Sequence, residues 1–220
     1  MSVNDLRLVV FDCDGTLVDS QNAIFRSMEV AFDRHDLPTP TRMAVRRIVG
    51  LPLASAIEVL APEANPELVN VLRLEYSNEW QEMRAARTLE EPLFPGTREV
   101  IEELSAAGWL LGVATGKSYN GLVATLTHYG LLDHFVTLQT SDRVHRGKPH
   151  PEMLLAALGE AGVDKDNAVM IGDTTFDIEM SRNAGVRAIG VNWGYHDASE
   201  LLATGAECVL DNFEDLHVAL

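Results

Sequence analysis

The chain has 220 residues, 46% of them hydrophobic and 23% charged, a balance that fits one ordinary globular domain with room for a modest insertion. Seventeen Lys and Arg against thirty-three Asp and Glu leave a net charge of -16, which argues against nucleic acid or an anionic membrane as partner. No basic segment leads into a signal-length apolar stretch, and Cys13 and Cys208 have neither disulfide-framework nor zinc spacing, so a soluble cytoplasmic protein without a membrane span is expected.

Residues 6–11 form a short, β-branched apolar run that breaks into Asp12-Cys13-Asp14-Gly15-Thr16, the pattern of a strand delivering carboxylates at its C-terminal end. The next stretch does not alternate. It reads as four helices, at 22–35, 42–48, 53–60 and 66–87, punctuated by Pro38-Thr39-Pro40, Gly50-Leu51-Pro52 and Pro62. Pro92, Pro95 and Gly96 then limit helix formation and suggest a hinge. From there helical patterns at 98–107, 119–129, 151–161 and 176–184 interleave with strands at 109–114, 135–138, 168–171 and 186–191. The order predicts an α/β core, a doubly wound and mainly parallel sheet from residues 1–19 and 92–220, with a helical domain inserted at 20–91. Ligands on such sheets sit beyond the carboxyl ends of the strands, so Asp12, Asp14, Thr115 and Asp173 should converge.

Asp12 and Asp14 are two apart and would share a side of an extended strand end while Cys13 points away. Carboxylates that close repel, and a divalent cation or a shared proton is the usual remedy, although a helix N-cap followed by a turn also suits Asp and Gly. Asp173 and Asp177 lie four apart at a second strand end and can face the same site; Asp177 would equally serve as a helix N-terminal anion. Oxygen ligands without nearby His or Cys suit magnesium better than zinc. Thr115-Gly116-Lys117-Ser118 is not a P-loop, because Leu111 stands where that motif needs glycine. Instead, the Thr115 hydroxyl and Gly116 amide form a strand-to-helix turn able to bind a phosphate oxygen, or simply a turn. Lys148, one of three lysines, sits in the rigid turn Gly147-Lys148-Pro149-His150-Pro151 and could neutralise phosphoryl oxygens. His145 and His150 flank it at the expected rim. Cys13 lacks the arginine six residues on that a cysteine phosphatase requires, Asp19 being there, and reads as a packing residue.

With Asp12-x-Asp14-Gly15-Thr16, Thr115, Lys148-Pro149 and Gly172-Asp173-x3-Asp177 in this order, the sequence resembles the haloacid dehalogenase superfamily of phosphohydrolases, over nearly its whole length. The helical insert looks like that family's α-helical cap of the first type, and the phosphoglycolate phosphatase-like branch is the most similar. The resemblance implies Asp12 as nucleophile and Asp14 as acid, then base. It also implies magnesium held by Asp12, the Asp14 backbone carbonyl and Asp173, with Asp177 orienting Lys148 or a metal-bound water. Thr115, Gly116 and Lys148 would bind the phosphoryl group of a small phosphorylated metabolite. The pair Asp12 and Asp14 argues against dehalogenation, and the absence of any lysine before Lys117 argues against Schiff-base chemistry in the cap. A β-phosphoglucomutase-like mutase shares the paired aspartates, and a receiver-type phospho-aspartate switch gathers similar residues without turnover. Arg46 and Arg47 precede the loop expected to face the active site and are the candidate contacts for a substrate anion.

Overall fold

A computed structural model of the protein describes residues 6–220, built on a six-stranded sheet of β1 (Leu8–Phe11), β2 (Leu110–Thr115), β3 (Phe135–Thr140), β4 (Ala168–Gly172), β5 (Arg187–Val191) and β6 (Val209–Leu210). The strands run in the order β3-β2-β1-β4-β5-β6, and every pairing is parallel. Ten helices accompany them: α1 (Gln21–Asp33), α2 (Arg42–Ile48), α3 (Leu53–Leu60), α4 (Pro66–Ala85), α5 (Thr97–Ala106), α6 (Tyr119–His128), α7 (Glu152–Ala161), α8 (Thr175–Ala184), α9 (Ala198–Thr204) and α10 (Leu216–Ala219).

The unbroken apolar run of β1 follows from its central place, because a parallel strand covered on both faces has no solvent side to mark with polar residues. Val9 and Phe11 join Leu111, Val113, Val169 and Ile171 on one face, under Ile101, Leu104, Leu122, Leu126 and Leu216 of α5, α6 and α10. Leu8 and Val10 join Ala114, Ala168 and Met170 on the other, under Met153, Leu154, Ala157 and Met180 of α7 and α8. The sheet is thus doubly wound, as the alternation of patterns predicts.

The helices α1 to α4 share an apolar cluster of their own. Ile24, Met28 and Phe32 recur at helical spacing along α1 and meet Val45, Ile48, Ile57 and Leu72. Sequence sets the start of α4 directly: Pro66 takes the first turn, where no amide is needed, and the Asn65 side chain accepts the Leu68 N–H at 2.9 Å. It ends at Ala85, short of the expected residue 87, because Arg87 adopts a left-handed conformation (φ 57°) that closes the helix. Beyond residue 192 the sequence pattern suggests no element, yet α9, β6 and α10 complete the sheet's edge. These pieces of seven, two and four residues are too short to show a period.

Candidate active site

The parallel register brings distant residues to one edge. Phe11 pairs with Val113 on one side and Ile171 on the other, and the Asp12 amide donates to the Ile171 carbonyl at 2.9 Å. Asp12, Thr115 and Asp173 therefore leave three adjacent strands together, where chain order reverses across β1, the usual ligand crevice of such sheets. Asp12, Asp173 and Asp177 are all buried, and one carboxylate oxygen from each lies within 4.8 Å of the others.

Each carboxylate is held differently. Asp12 Oδ1 accepts the Cys13 amide at 2.6 Å and lies 2.9 Å from Lys148 Nζ. Both contacts fall on one oxygen, and no protein donor reaches Oδ2 among the described residues. Asp173 accepts the Thr16 hydroxyl at 2.8 Å and the Tyr195 amide at 2.9 Å. Asp177 Oδ2 accepts the Thr174 amide at 3.1 Å and hydroxyl at 2.7 Å, while Oδ1 lies 2.6 Å from Lys148 Nζ. One oxygen of Asp177 thus closes the first turn of α8, and the other lies against the lysine.

Burial is the largest influence on these groups. It pushes the Asp12 carboxyl up to about 7 against the lowering effect of Lys148, with Asp177 raising it further. Asp173 is pushed well above the carboxylate range by burial and by the facing Asp12 and Asp177. Burial would lower the Lys148 ammonium, but Asp12 and Asp177 outweigh it and hold the group charged. Three buried carboxylates against one ammonium form an acidic oxygen set that a hard divalent cation fits, since its charge would offset the remaining repulsion. The surroundings are shaped closely: a methyl group at Gly15 would collide with Asp173 Oδ2, and one at Gly194 with Asp173 Cβ. Asp12 Oδ2 has no protein donor among the described residues and each oxygen of Asp173 has one, so both side chains keep lone pairs for coordination, whereas Asp177 Oδ2 takes two donors and its Oδ1 lies against Lys148.

On the β2 side, the Thr115 hydroxyl accepts the Lys117 amide at 3.3 Å, leaving its own proton to donate. Lys148 has three ammonium protons and two carboxylate neighbours, leaving one for a further oxygen. Cys13 points into the core cluster, away from Asp12, as the two-residue alternation predicts, and burial followed by Asp14 pushes its thiol up.

Asp14 lines the same cavity as Asp12 but stands outside the buried aspartate cluster. Its Oδ1 meets Lys117 Nζ at 2.8 Å, at the base of a cleft of about 690 Å³ between sheet edge and helical insert. Asp12, Thr115, Gly116 and Lys117 line its floor, and Arg73, Tyr76, Trp80 and Arg84 of α4 line its roof.

Arg46 and Arg47 are not among the cavity's lining residues, which corrects the expectation for the cap. Arg46 donates to the Tyr195 carbonyl at 2.6 Å and the Gly194 carbonyl at 2.7 Å, tying α2 to the loop that holds Asp173. Arg47 pairs with Glu200 at 2.6 Å on the surface. They precede the loop that enters the cavity, but the docking of α2 turns Arg46 toward the loop between β5 and α9 and Arg47 toward α9. His145 and His150 border a separate groove with Pro52 and Asn183. The functional lining missed by sequence reasoning lies on α4, where Arg73, Tyr76 and Trp80 recur at helical spacing and read equally well as a surface stripe. Lys117 was visible as one of three lysines, two residues beyond Thr115.

Buried aspartates around a lysine at the switch point of a doubly wound sheet, opening on a cavity beneath a helical insert, suit a protein that handles phosphoryl groups. The chain belongs to the haloacid dehalogenase-like hydrolases, whose family model matches residues 9–191. It is 36% identical over 210 residues to a probable phosphatase, IndB, of Dickeya dadantii, covering 95% of this chain and 91% of that one. It is 30% identical over 221 residues to a phosphoglycolate phosphatase of Yersinia pseudotuberculosis, covering 98% and 93%. Among solved structures, a putative haloacid dehalogenase-like hydrolase from Bacteroides fragilis superposes with a TM-score of 0.88 at 26% identity, over 96% of this chain and all of that one. The protein is thus a phosphatase of this family, which sets aside the signalling-switch alternative. No helix among the described residues is long and apolar enough to cross a membrane.

Proposed function

We propose that the protein is a magnesium-dependent phosphatase of the phosphoglycolate phosphatase-like kind, hydrolysing a small phosphate monoester through an aspartyl-phosphate on Asp12. The observation that carries this reading is the buried Lys148 ammonium, 2.9 Å from Asp12 and 2.6 Å from Asp177, behind an Asp12 that itself lines the cavity together with Asp14, Thr115 and Gly116. Asp12 attacks phosphorus in line through the oxygen that no protein donor occupies. Asp14 protonates the departing alkoxide, then takes a proton from the water that releases phosphate. The Thr115 hydroxyl, the Gly116 amide and the remaining proton of Lys148 bind the phosphoryl oxygens. Asp12, Asp173 and the Asp14 carbonyl would hold magnesium, which when bound supplies positive charge between the anionic nucleophile and the anionic phosphate.

Leaving-group selection falls to the cavity roof. Arg84 is engaged by Glu91 at 3.1 Å, whereas Arg73 meets only the neutral Asn70 side chain at 2.9 Å. Arg73 is therefore the roof cation left for a second anion on the substrate. The test is a screen of phosphoglycolate, sugar phosphates, nucleotides and pyrophosphate with magnesium. Magnesium-dependent turnover of one or more small monoesters is expected; inertness toward all of them would overturn the reading.

A further inference from the structure

The loop after β2 carries a buried ion cluster that phosphate binding does not use. Lys117 Nζ lies 2.8 Å from Asp14 Oδ1 and 3.1 Å from Glu91 Oε2, and 4.5 Å from the centre of the Trp80 ring. Its side chain is 7% exposed, Glu91 8% and Asp14 14%. Glu91 sits where the chain returns from the insert, and its Oε1 is fixed by Arg84 of α4 at 3.1 Å and the Thr125 hydroxyl of α6 at 2.8 Å. A lysine has a flexible four-carbon stem, so an ammonium at one position needs several constraints. Here a carboxylate anchored from two helices and an aromatic face supply them.

Among the described residues Lys117 is the only protein donor to the Asp14 side chain. We infer that Lys117 is a positioning residue for Asp14: fixed by Glu91 and Trp80, it binds Oδ1 and holds Oδ2 toward the cavity for proton transfer. The inference rests on the acid/base role of Asp14 proposed above. In the first step the Asp12–phosphorus bond forms, the bond to the leaving oxygen breaks, and the proton on Asp14 Oδ2 passes to that oxygen. In the second, water oxygen bonds to phosphorus, the Asp12–phosphorus bond breaks, and the water proton returns to Asp14 Oδ2. Both steps require the carboxyl within hydrogen-bond reach of the proton it moves, a condition that small misplacements destroy.

The experiment compares wild type, Lys117→Met and Lys117→Arg with magnesium, on an alkyl phosphate turned over by the wild type and on p-nitrophenyl phosphate. The aryl leaving group needs no proton, so only the second step depends on Asp14. Lys117→Met should lose roughly 10²-fold or more in kcat on the alkyl substrate, within the range for a displaced general acid/base, with KM little changed. On p-nitrophenyl phosphate it should release one burst of nitrophenolate per enzyme, followed by slow turnover. Lys117→Arg should recover part of the loss. Because Lys117→Met strands two buried carboxylates and its fold can fail, Glu91→Gln provides the second variant, expected to give the same burst with a smaller loss, about tenfold. Wild-type kcat in Lys117→Met, or equal loss of burst and turnover in both variants, would overturn the inference. An inactive wild type would overturn the phosphatase reading and this inference with it.

Discussion

Gly116 lies directly beneath the carbonyl oxygen of Leu51: a methyl group at position 116 would stand 2.9 Å from it and 3.1 Å from the Gly50 carbonyl oxygen. The loop of the core that should grip phosphate thus meets the entering loop of the cap backbone to backbone. Pro52, next in that loop, lies closer still to Gly147, where an added methyl would stand 2.5 Å from its Cγ.

Gly116→Ala should therefore force the cap loop away from the site, since a carbonyl in the main chain cannot rotate aside as a flexible side chain can. The expected result is a loss of roughly tenfold or more in kcat/KM on every substrate, p-nitrophenyl phosphate included, because enclosure itself is impaired. Gly159→Ala is the control: nothing lies within 4 Å of the added methyl on α7, so stability should rise by about 0.5–1 kcal/mol in thermal unfolding with activity unchanged.

Asp12→Asn should abolish turnover, because an amide is not a competent nucleophile. The fold should survive. Burial and the facing carboxylates already favour a neutral group at this position, so in chelator the variant's Tm should equal or exceed that of the wild type. Activity near wild type would remove Asp12 from the nucleophile's place.

Asp14→Asn should fall by about 10² to 10⁴-fold, the range for loss of a general acid/base. Rapid-quench measurement on an alkyl phosphate should show both formation and hydrolysis of the phosphoenzyme slowed. Slowing of hydrolysis alone would leave Asp14 a base and no acid.

Chelation should eliminate activity and magnesium should restore it, with zinc a poor substitute at carboxylate and carbonyl oxygens. If Asp12, Asp173 and the Asp14 carbonyl hold magnesium as proposed, the ion should also raise the Tm of the resting enzyme, because the ligand set exists only in the folded chain. Full turnover in chelator would refute the metal-assisted scheme.

Arg73→Ala should weaken kcat/KM by about 10 to 150-fold for a substrate bearing a second anion, the worth of roughly 1.5–3 kcal/mol in a lost charged contact, and leave a plain aryl phosphate little changed. Arg46→Ala should behave differently. It removes two hydrogen bonds to the loop of Gly194 and Tyr195, so both substrates should lose rate together through cap docking.

What the sequence determined by itself is the acidic centre. Asp12, Thr115, Lys148, Asp173 and Asp177 were legible because each stands in a short local motif at the end of a strand or the start of a helix, and parallel sheets gather strand ends by topology. The pairing of two carboxylates at Asp12-x-Asp14 carried its electrostatic meaning before any coordinate. Tertiary structure alone decided which face each cap helix turns inward. Arg46 and Arg47 adjoin the right loop, yet the seven residues of α2 turn that face to the loop after β5 and to α9, while Arg73 and Trp80 of α4 line the cavity. Helical periodicity fixes which residues share a face but not which neighbour the face meets, and that is set by packing between segments far apart in sequence. The same limit concealed Lys117, whose partners Asp14, Glu91 and Trp80 come from three separate segments and meet only once the insert folds back over the sheet.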